Sequence, residues 1–336
     1  MGLDVISLGE ALIDFISLKP GVSLEDAPGF EKCPGGAPAN FAVACARLGL
    51  STGFIGKVGD DAFGRFLAAT LASNGVDVSQ VKYSEHRTAL AFVSIAKNGE
   101  RHFMFYRRPC ADLMLEEREI DPGYISGAKI LHFGTVSLSE SPAREATMKA
   151  VQCAREAGVQ VSFDPNIRFH LWAKEPDEIR EDVISVTRTC DIFLPSEEEA
   201  RFLSGMDVRA SIDEFLSWGP KTIAIKLGER GCVVGDKTKT AEVPGIKARA
   251  VDTTGAGDGF DAGFIFGLLQ GHGLERAALY ANAVGSLVVR KRGAMTSLPS
   301  RREVERLVSK VLARSQSRSH HTAKRRAHRR TKKPTG

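Results

Sequence analysis

The chain has 336 residues, of which 43% are hydrophobic and 26% are charged, as is usual for a globular domain. No apolar run approaches the roughly 18 residues that a membrane-spanning helix needs, and residues 1–15 lack the features of a secretory signal. The net charge of +5 is due to residues 315–336, which hold eight Lys or Arg and no acid. Residues 1–314 therefore carry a net charge of −3, which does not indicate a nucleic-acid-binding domain.

Short apolar runs rich in β-formers alternate along the chain with helical patterns. Strands are predicted at 4–10, 52–58, 129–134, 159–164, 191–195 and 221–228. Helices are predicted at 38–48, 62–74, 142–157, 176–189 and from Ser196 onward. This alternation predicts an α/β fold whose central, mostly parallel sheet is covered by helices on both faces. Ligands of such folds bind beyond the carboxyl ends of the strands.

Two stretches interrupt the alternation. Residues 12–18 and 88–106 have strand patterns, and the second contains a hairpin signal at Asn98-Gly99. They predict a small β-sheet, built from about 12–35 and 88–112, that projects from the domain and acts as a lid. A small sheet is barely stable alone and exposes an edge and an apolar face, so we expect a homodimer formed through the lid sheets.

The last 22 residues differ from the rest of the chain. Residues 1–314 are expected to form one folded domain, whereas residues 315–336 are expected to be a disordered basic tail, because they contain no large apolar side chain. The tail is interpreted as a solvated extension without a dedicated partner, and nucleic acid is expected only as a non-specific contact of this tail. Six scattered cysteines without a Cys-x-x-Cys pair predict buried, reduced thiols. A cytoplasmic protein without a membrane partner is expected.

The segment VDTTGAGDGF (251–260) places three glycines at the start of a predicted helix. The free amides of Gly255, Ala256 and Gly257 would form an anion hole, helped by the helix dipole. Asp258 follows in the first turn. A carboxylate beside a phosphate makes chemical sense if it takes a proton from the hydroxyl that attacks phosphorus. The alternative is a helix start that simply favours Gly and Asp. Other nucleotide-binding loops, such as Gly-x-x-x-x-Gly-Lys-Ser/Thr, are absent.

This segment, extended to residue 264, and KCPGGAPANFAVACARLG (32–49) resemble the two signature motifs of the ribokinase-like (PfkB) carbohydrate kinases, in the same order and separation. The resemblance extends from Val5 to about Pro299. It implies a ribokinase-like three-layer sandwich with a small β-sheet lid, and ATP-dependent phosphorylation of a sugar. Asp258 corresponds to the family's catalytic base, and the amides of Gly255, Ala256 and Gly257 to its anion hole. ATP and Mg²⁺ are the implied cofactors, with K⁺ as an additional ion.

The resemblance also assigns binding residues. The implied sugar contacts are Asp14, Gly35, Gly36 and Asn40, and the implied nucleotide contacts are Lys226, Gly228, Gly231 and Asn282. Glu199 corresponds to the residue that binds Mg²⁺ through water, although Ser196 replaces the family's asparagine and Ser-x-x-Glu is equally a helix capping box. The implied monovalent-cation residues are Asp252, Thr254, Gly293 and Ser297.

The stretches HFMFYRRPCADLML (102–115) and FDPNIRFHLW (163–172) resemble the fructokinase branch. Tyr106 and Arg107 would bring an aromatic face and a cation over the sugar, and Arg168 follows a strand at its ligand-binding end. Phosphorylation of fructose to fructose 6-phosphate is therefore expected. The 2-keto-3-deoxygluconate kinases and aminoimidazole riboside kinases share parts of the pattern and remain alternatives. The retained Asp258 argues against a sugar-binding relative without catalysis.

Overall fold

The computed structural model describes residues 2–95 and 101–314. The predicted turn at Asn98-Gly99 and the predicted tail, 315–336, lie outside the described residues. The strands are β1 (Leu3–Leu8), β2 (Leu12–Ser17), β3 (Phe30–Gly35), β4 (Thr52–Gly59), β5 (Val76–Ser84), β6 (Leu90–Ile95), β7 (Arg101–Tyr106), β8 (Ala128–Gly134), β9 (Gln160–Asp164), β10 (Ile192–Phe193), β11 (Thr222–Lys226), β12 (Gly231–Asp236) and β13 (Thr240–Pro244).

The helices lie between these strands and at the end of the described chain. They are α1 (Ala37–Arg47), α2 (Ala62–Ser73), α3 (Pro122–Ser126), α4 (Ala143–Glu156), α5 (Pro176–Thr187), α6 (Glu197–Ser204), α7 (Val208–Trp218), α8 (Ala256–Leu269), α9 (Leu274–Val288), α10 (Ala294–Ser297) and α11 (301–314). Within residues 2–95 and 101–314, no helix combines the length and apolar composition that crossing a bilayer requires.

The central sheet has nine strands in the order β13-β12-β11-β10-β9-β8-β1-β4-β5. The run from β11 to β5 is parallel, and β12 and β13 add an antiparallel edge. Neighbouring residues of β1 enter different cores: Val5 packs in the core that contains Phe264 of α8, whereas Ile6 packs in the core that contains Val183 of α5. Because both faces of the sheet are buried by helices, the predicted three-layer α/β sandwich is confirmed.

A second sheet of four strands, in the order β3-β2-β6-β7, forms the small sheet. The strand β2 pairs antiparallel with β3 and parallel with β6, and β6 pairs antiparallel with β7. Asp14 of β2 lies opposite Cys33 of β3 and Ala91 of β6, so these residues share one face. The prediction of a small sheet from the two interrupting segments is confirmed.

All six cysteines lie in the described residues, where they are buried and free of disulfides, as predicted from their scatter.

Candidate active site

A cavity of about 490 Å³ opens between the small sheet and the carboxyl ends of the central strands. Polar side chains enter it from five separate elements. They are Asp14 of β2, Asn40 of α1, Asp164 of β9, Lys226 of β11 and Asp258 of α8. This is the edge of a parallel sheet at which ligands bind.

The glycine turn, residues 251–257, forms one wall of the cavity. Gly255 is the N-cap of α8 with φ 75°, a left-handed conformation that favours glycine, and a Cβ there would lie 3.0 Å from that of Ala294. Ala256 donates its amide to the carbonyl of Thr253 at 3.2 Å. Within the described ranges, no acceptor takes up the amides of Gly255 and Gly257, and both residues line the cavity. These two amides are free to bind an anion.

Asp258 lies in the first turn of α8 and is bonded to a residue from the other signature motif. Asn40 donates from Nδ2 to Asp258 Oδ2 at 2.7 Å. Burial raises the pKa of Asp258 to about 6, with a further contribution from the Asp164 carboxylate and opposition from the Asn40 hydrogen bond. Asp258 is therefore ionised at neutral pH but is a stronger proton acceptor than an exposed aspartate.

Gly35 and Gly36 bring the chain directly against the start of the small sheet. A Cβ on Gly35 would collide with the carboxylate of Asp14, and one on Gly36 would collide with the carbonyl of Glu10. Gly36 also has φ 100°. Asp14 is buried on β2 and lines the cavity next to Gly36. The glycine pair is thus required for the close approach that places Asp14 beside the start of α1.

Glu10 was not singled out from the sequence, yet it lines the same cavity. Its Oε1 accepts the amide of Ala37, the first residue of α1, at 3.0 Å. Burial raises the pKa of Glu10 to about 7, against the opposing charge of Arg107. The position of Glu10 just beyond a buried strand, at the edge of the sheet where ligands bind, could have identified it from the sequence as a candidate site residue.

Lys226 is held by buried carboxylates. Its Nζ lies 2.9 Å from Asp164 Oδ2 and 3.2 Å from Asp261 Oδ2. Burial alone would lower the pKa of Lys226, but the two carboxylates, joined by that of Glu199, outweigh it and raise the pKa above its usual value. Burial raises the pKa of Asp261 well above its ordinary range. Neither Asp164 nor Asp261 was predicted, although Asp261 follows Asp258 by three residues on one helix.

Glu199 forms the capping box that its pattern allowed. Its Oε1 accepts the amide of Ile167 at 2.7 Å, and its Oε2 accepts the amide of Ser196 at 2.8 Å. The Ser196 hydroxyl accepts the Glu199 amide in return. Burial and the nearby Asp164 raise the pKa of Glu199. The carboxylate nevertheless lines the cavity. Because both oxygens already accept amides, water-mediated binding suits it better than direct metal coordination.

The lid residues divide between two faces of β7. Tyr106 is 56% exposed and does not line the cavity, whereas Phe103 and Phe105 do. Arg107 lines the cavity, but its Nε lies 2.6 Å from Asp112 Oδ2, so its charge is largely neutralised.

Arg168 stands at the opposite wall. It is exposed and lines the cavity just beyond β9. No pairing to a carboxylate is seen for its guanidinium within the described residues, so its donors are available to a ligand.

The residues expected to bind nucleotide fall into two places. Lys226 lines the cavity, whereas Gly228, Gly231 and Asn282 do not. Gly231, with φ 105°, packs so closely on Val243 that a Cβ would collide with its carbonyl. Asn282 donates to the same carbonyl at 3.2 Å. The structure therefore brings Gly231 and Asn282 together at the end of β13.

Asp252 accepts hydrogen bonds from two of the other three residues expected at the monovalent-cation site. Its Oδ1 accepts the amide of Thr254 at 2.8 Å, and its Oδ2 accepts the amide of Gly293 at 2.9 Å. Ser297 donates to the carbonyl of Ala294 at 2.7 Å. In the part of the chain that the structure describes, no cluster of three or more His, Cys, Asp or Glu side chains is arranged to hold a metal.

The sequence model of the pfkB family of carbohydrate kinases matches residues 3–301, which is nearly the whole described chain. The chain belongs to the pfkB family of carbohydrate kinases. This confirms the resemblance of both signature motifs.

Individual relatives agree with the family match. Fructokinase-1 of Oryza sativa subsp. japonica is 43% identical over 314 residues, which cover 90% of this chain and 97% of the relative. A double mutant of the Vibrio cholerae O395 fructokinase, in its fructose, ADP and potassium ion bound form, is 33% identical with a TM-score of 0.82, covering 91% and 99% of the two chains. An E. coli structure in complex with ATP and Mg²⁺ is 32% identical with a TM-score of 0.85, covering 92% and 99%.

In this carbohydrate kinase, the two signature motifs thus meet in one cavity. The Asn40–Asp258 hydrogen bond joins them directly, and Asp14 and Lys226 stand in the same space.

Proposed function

We propose that this kinase transfers the γ-phosphoryl group of ATP to the primary hydroxyl of fructose, producing fructose 6-phosphate and ADP. The observation that carries the proposal is the Asn40–Asp258 pair beside the free amides of Gly255 and Gly257 in one cavity. The fructokinase relatives favour fructose over 2-keto-3-deoxygluconate and the aminoimidazole riboside as the acceptor.

Asp258 acts as the general base. It takes the proton of the sugar hydroxyl while the hydroxyl oxygen forms a bond to the γ-phosphorus and the bond to ADP breaks. Asn40 fixes the carboxylate through its 2.7 Å hydrogen bond. The amides of Gly255 and Gly257, with that of Ala256 if it leaves Thr253, stabilise the charge on the transferring group.

The sugar lies between the small sheet and α1. Asp14 accepts hydrogen bonds from its hydroxyls, and the Gly35–Gly36 backbone lies close beside it. Arg168 supplies donors from the opposite wall. Arg107 is held on the lid side of the cavity by its ion pair with Asp112, and Tyr106 lies outside the cavity lining.

The nucleotide phosphates extend from the glycine turn toward Lys226. Gly228, Gly231 and Asn282 form the more distant part of the nucleotide site. Asp164 Oδ1 is buried without a hydrogen-bond partner among the described residues, so this wall has spare acceptor capacity for a hydrated cation. Glu199 and Asp164 would hold Mg²⁺ through water, and the ion supplies charge neutralisation of the phosphates.

The residues around the glycine turn also suit a monovalent cation. K⁺ would be held beside the anion hole by oxygen atoms, the ligands that such ions prefer, of Asp252, Thr254, Gly293 and Ser297. The ion would fix the position of the turn.

A panel of acceptors tests the assignment. ADP release should be measured with fructose, 2-keto-3-deoxygluconate, ribose, adenosine and aminoimidazole riboside at equal concentrations. We expect the highest kcat/KM with fructose. A higher value with any of the other four would replace fructose as the acceptor while retaining the kinase assignment.

The pKa of Asp258 predicts the pH dependence of turnover. Protonation removes the base, so kcat/KM for the sugar should be constant above pH 7 and should fall about tenfold per pH unit below about pH 6. The measurement is kcat/KM between about pH 5 and pH 8 with saturating nucleotide. An unchanged value across that range would contradict the role of Asp258 as the base.

The small sheet also supports a homodimer. Its outer face exposes Met104 and Tyr106, at 42% and 56%, and Tyr106 packs on Phe92 at 5.5 Å between ring centroids. We propose that a second copy of the chain covers this apolar face. Sedimentation velocity should show a dimer for the wild type and a monomer for Met104→Lys/Tyr106→Lys. The control is Tyr83→Lys, whose exposed ring lies on β5. A monomeric wild type would contradict the proposal.

A further inference from the structure

Arg292 joins the small sheet to the C-terminal part of the chain. It lies in the loop between α9 and α10. Its Nη2 donates to the carbonyl of Ser17 at the end of β2, and its Nε lies 3.7 Å from Oε2 of Glu31 on β3. A single guanidinium therefore contacts two paired strands, β2, which carries Asp14, and β3, which ends at Gly35.

The backbone that follows Arg292 contacts the glycine turn. The Gly293 amide donates to Asp252 Oδ2 at 2.9 Å, and the other oxygen of Asp252 accepts the amide of Thr254. Gly255 packs against Ala294, so closely that a Cβ would lie 3.0 Å from the Ala294 Cβ. Residues 292–294 thus touch the small sheet on one side and the anion-binding turn on the other.

One of these contacts is incomplete. The Nε of Arg292 is buried and, among the described residues, has no hydrogen-bond acceptor. The Glu31 carboxylate stands at 3.7 Å, just beyond bonding distance. A buried donor without a partner is costly, so a small movement of β3 toward Arg292 would be favourable. Such a movement would bring Arg292 Nε and Glu31 Oε2 within hydrogen-bonding distance.

We propose that Arg292 is a positioning residue that couples the small sheet to the glycine turn, so that occupation of the sugar site and of the anion site favour each other. The sugar half rests on the proposed function, in which Asp14 on β2 binds the acceptor. Sugar bound to Asp14 fixes β2 and its partner β3, Arg292 contacts both strands, and Gly293 and Ala294 carry this constraint to the glycine turn. Because coupling between two binding sites is reciprocal, nucleotide must raise the affinity for sugar by the same factor as sugar raises the affinity for nucleotide, and we expect nucleotide at the turn to slow exchange in the small sheet.

The test is hydrogen exchange on wild type, Arg292→Gln and Arg292→Lys, with Arg301→Gln as the control. Arg301 is an exposed arginine on α11 that pairs with Glu305 at 2.7 Å. Fructose alone is added in one arm, and exchange is read at 251–257. Mg²⁺ and a non-hydrolysable ATP analogue, which keeps the γ-phosphoryl group that the turn binds, are added in the other arm, and exchange is read at 12–17 and 30–35. In wild type and Arg301→Gln, each ligand should slow exchange at the remote segment.

Arg292→Gln should lose both remote effects while keeping local protection by each ligand. Its kcat/KM should fall on the order of 10²-fold, as expected when a reacting group is slightly misplaced. Arg292→Lys should regain part of both effects, because its ammonium can still reach one acceptor. Glu31→Gln, which changes a half-exposed side chain, should weaken the remote effects without lowering the thermal midpoint.

The nucleotide arm keeps this test separate from the identity of the sugar. If fructose is not the acceptor, the fructose arm is silent in wild type and the proposed function fails, yet nucleotide must still slow exchange in the small sheet. The coupling is overturned if nucleotide leaves exchange at 12–17 and 30–35 unchanged in wild type, or if Arg292→Gln retains the wild-type effect.

Discussion

Replacing Asp258 by asparagine should lower kcat by about 10²–10⁴-fold, the usual contribution of a general base. Asparagine keeps the size of the side chain and can still contact Asn40, but it cannot take the proton of the sugar hydroxyl. The affinity for ATP should be nearly unchanged, because the amides of Gly255 and Gly257 belong to the backbone. Steady-state kinetics with saturating ATP and sugar measure the effect.

Asp207→Asn is a matched control for this variant. Asp207 caps α7 through the amides of Arg209 and Ala210, and asparagine caps equally well. Its kcat should equal that of the wild type. If Asp258→Asn also turned over at the wild-type rate, proton transfer would have to be assigned to another group.

Replacing Lys226 by methionine should lower the free energy of unfolding by about 3–5 kcal/mol, because it leaves buried carboxylates without their cation. The ammonium lies 2.9 Å from Asp164 and 3.2 Å from Asp261. Urea unfolding at neutral pH measures the loss. Adding Asp164→Asn should recover part of it, since the unpaired charge of Asp164 is then removed.

Lys221→Met serves as the control for the same type of change at the surface. Its Nζ lies 2.7 Å from Asp191 Oδ1, but the lysine side chain is 72% exposed. Such a pair contributes only about 0–1 kcal/mol. A loss at Lys226 no larger than the loss at Lys221 would contradict the account of the buried network.

The central sheet could be predicted from the sequence because its parallel strands are buried on both faces and therefore form continuous apolar runs. The strand β5 (VDVSQVKYS) was missed, since it is an edge strand that mixes buried and exposed positions. The strand β3 was included in the lid segment but not recognised as a strand. It contains Pro34 and ends at a glycine, two residues that sequence patterns associate with turns.

The glycine turn was predictable because its chemistry is local: an anion site and a carboxylate lie within one helical turn. The partners of Lys226 were not, because Asp164, Asp261 and Glu199 come from three different elements that only the tertiary fold brings together. The lid strand shows a further limit. Neighbouring residues of a strand point to opposite faces, and the sequence does not specify whether Tyr106 or Phe105 faces the cavity.

Product analysis by ³¹P and ¹³C NMR, with ATP, Mg²⁺ and ¹³C-labelled fructose, shows whether the enzyme phosphorylates fructose and whether Asp258 is needed. We expect wild type to form ADP and a phosphate ester at carbon 6 in equal amounts. In the same time, Asp258→Asn should form almost none. ADP accompanied by inorganic phosphate instead of a sugar ester, or equal ester formation by the two proteins, would contradict these expectations.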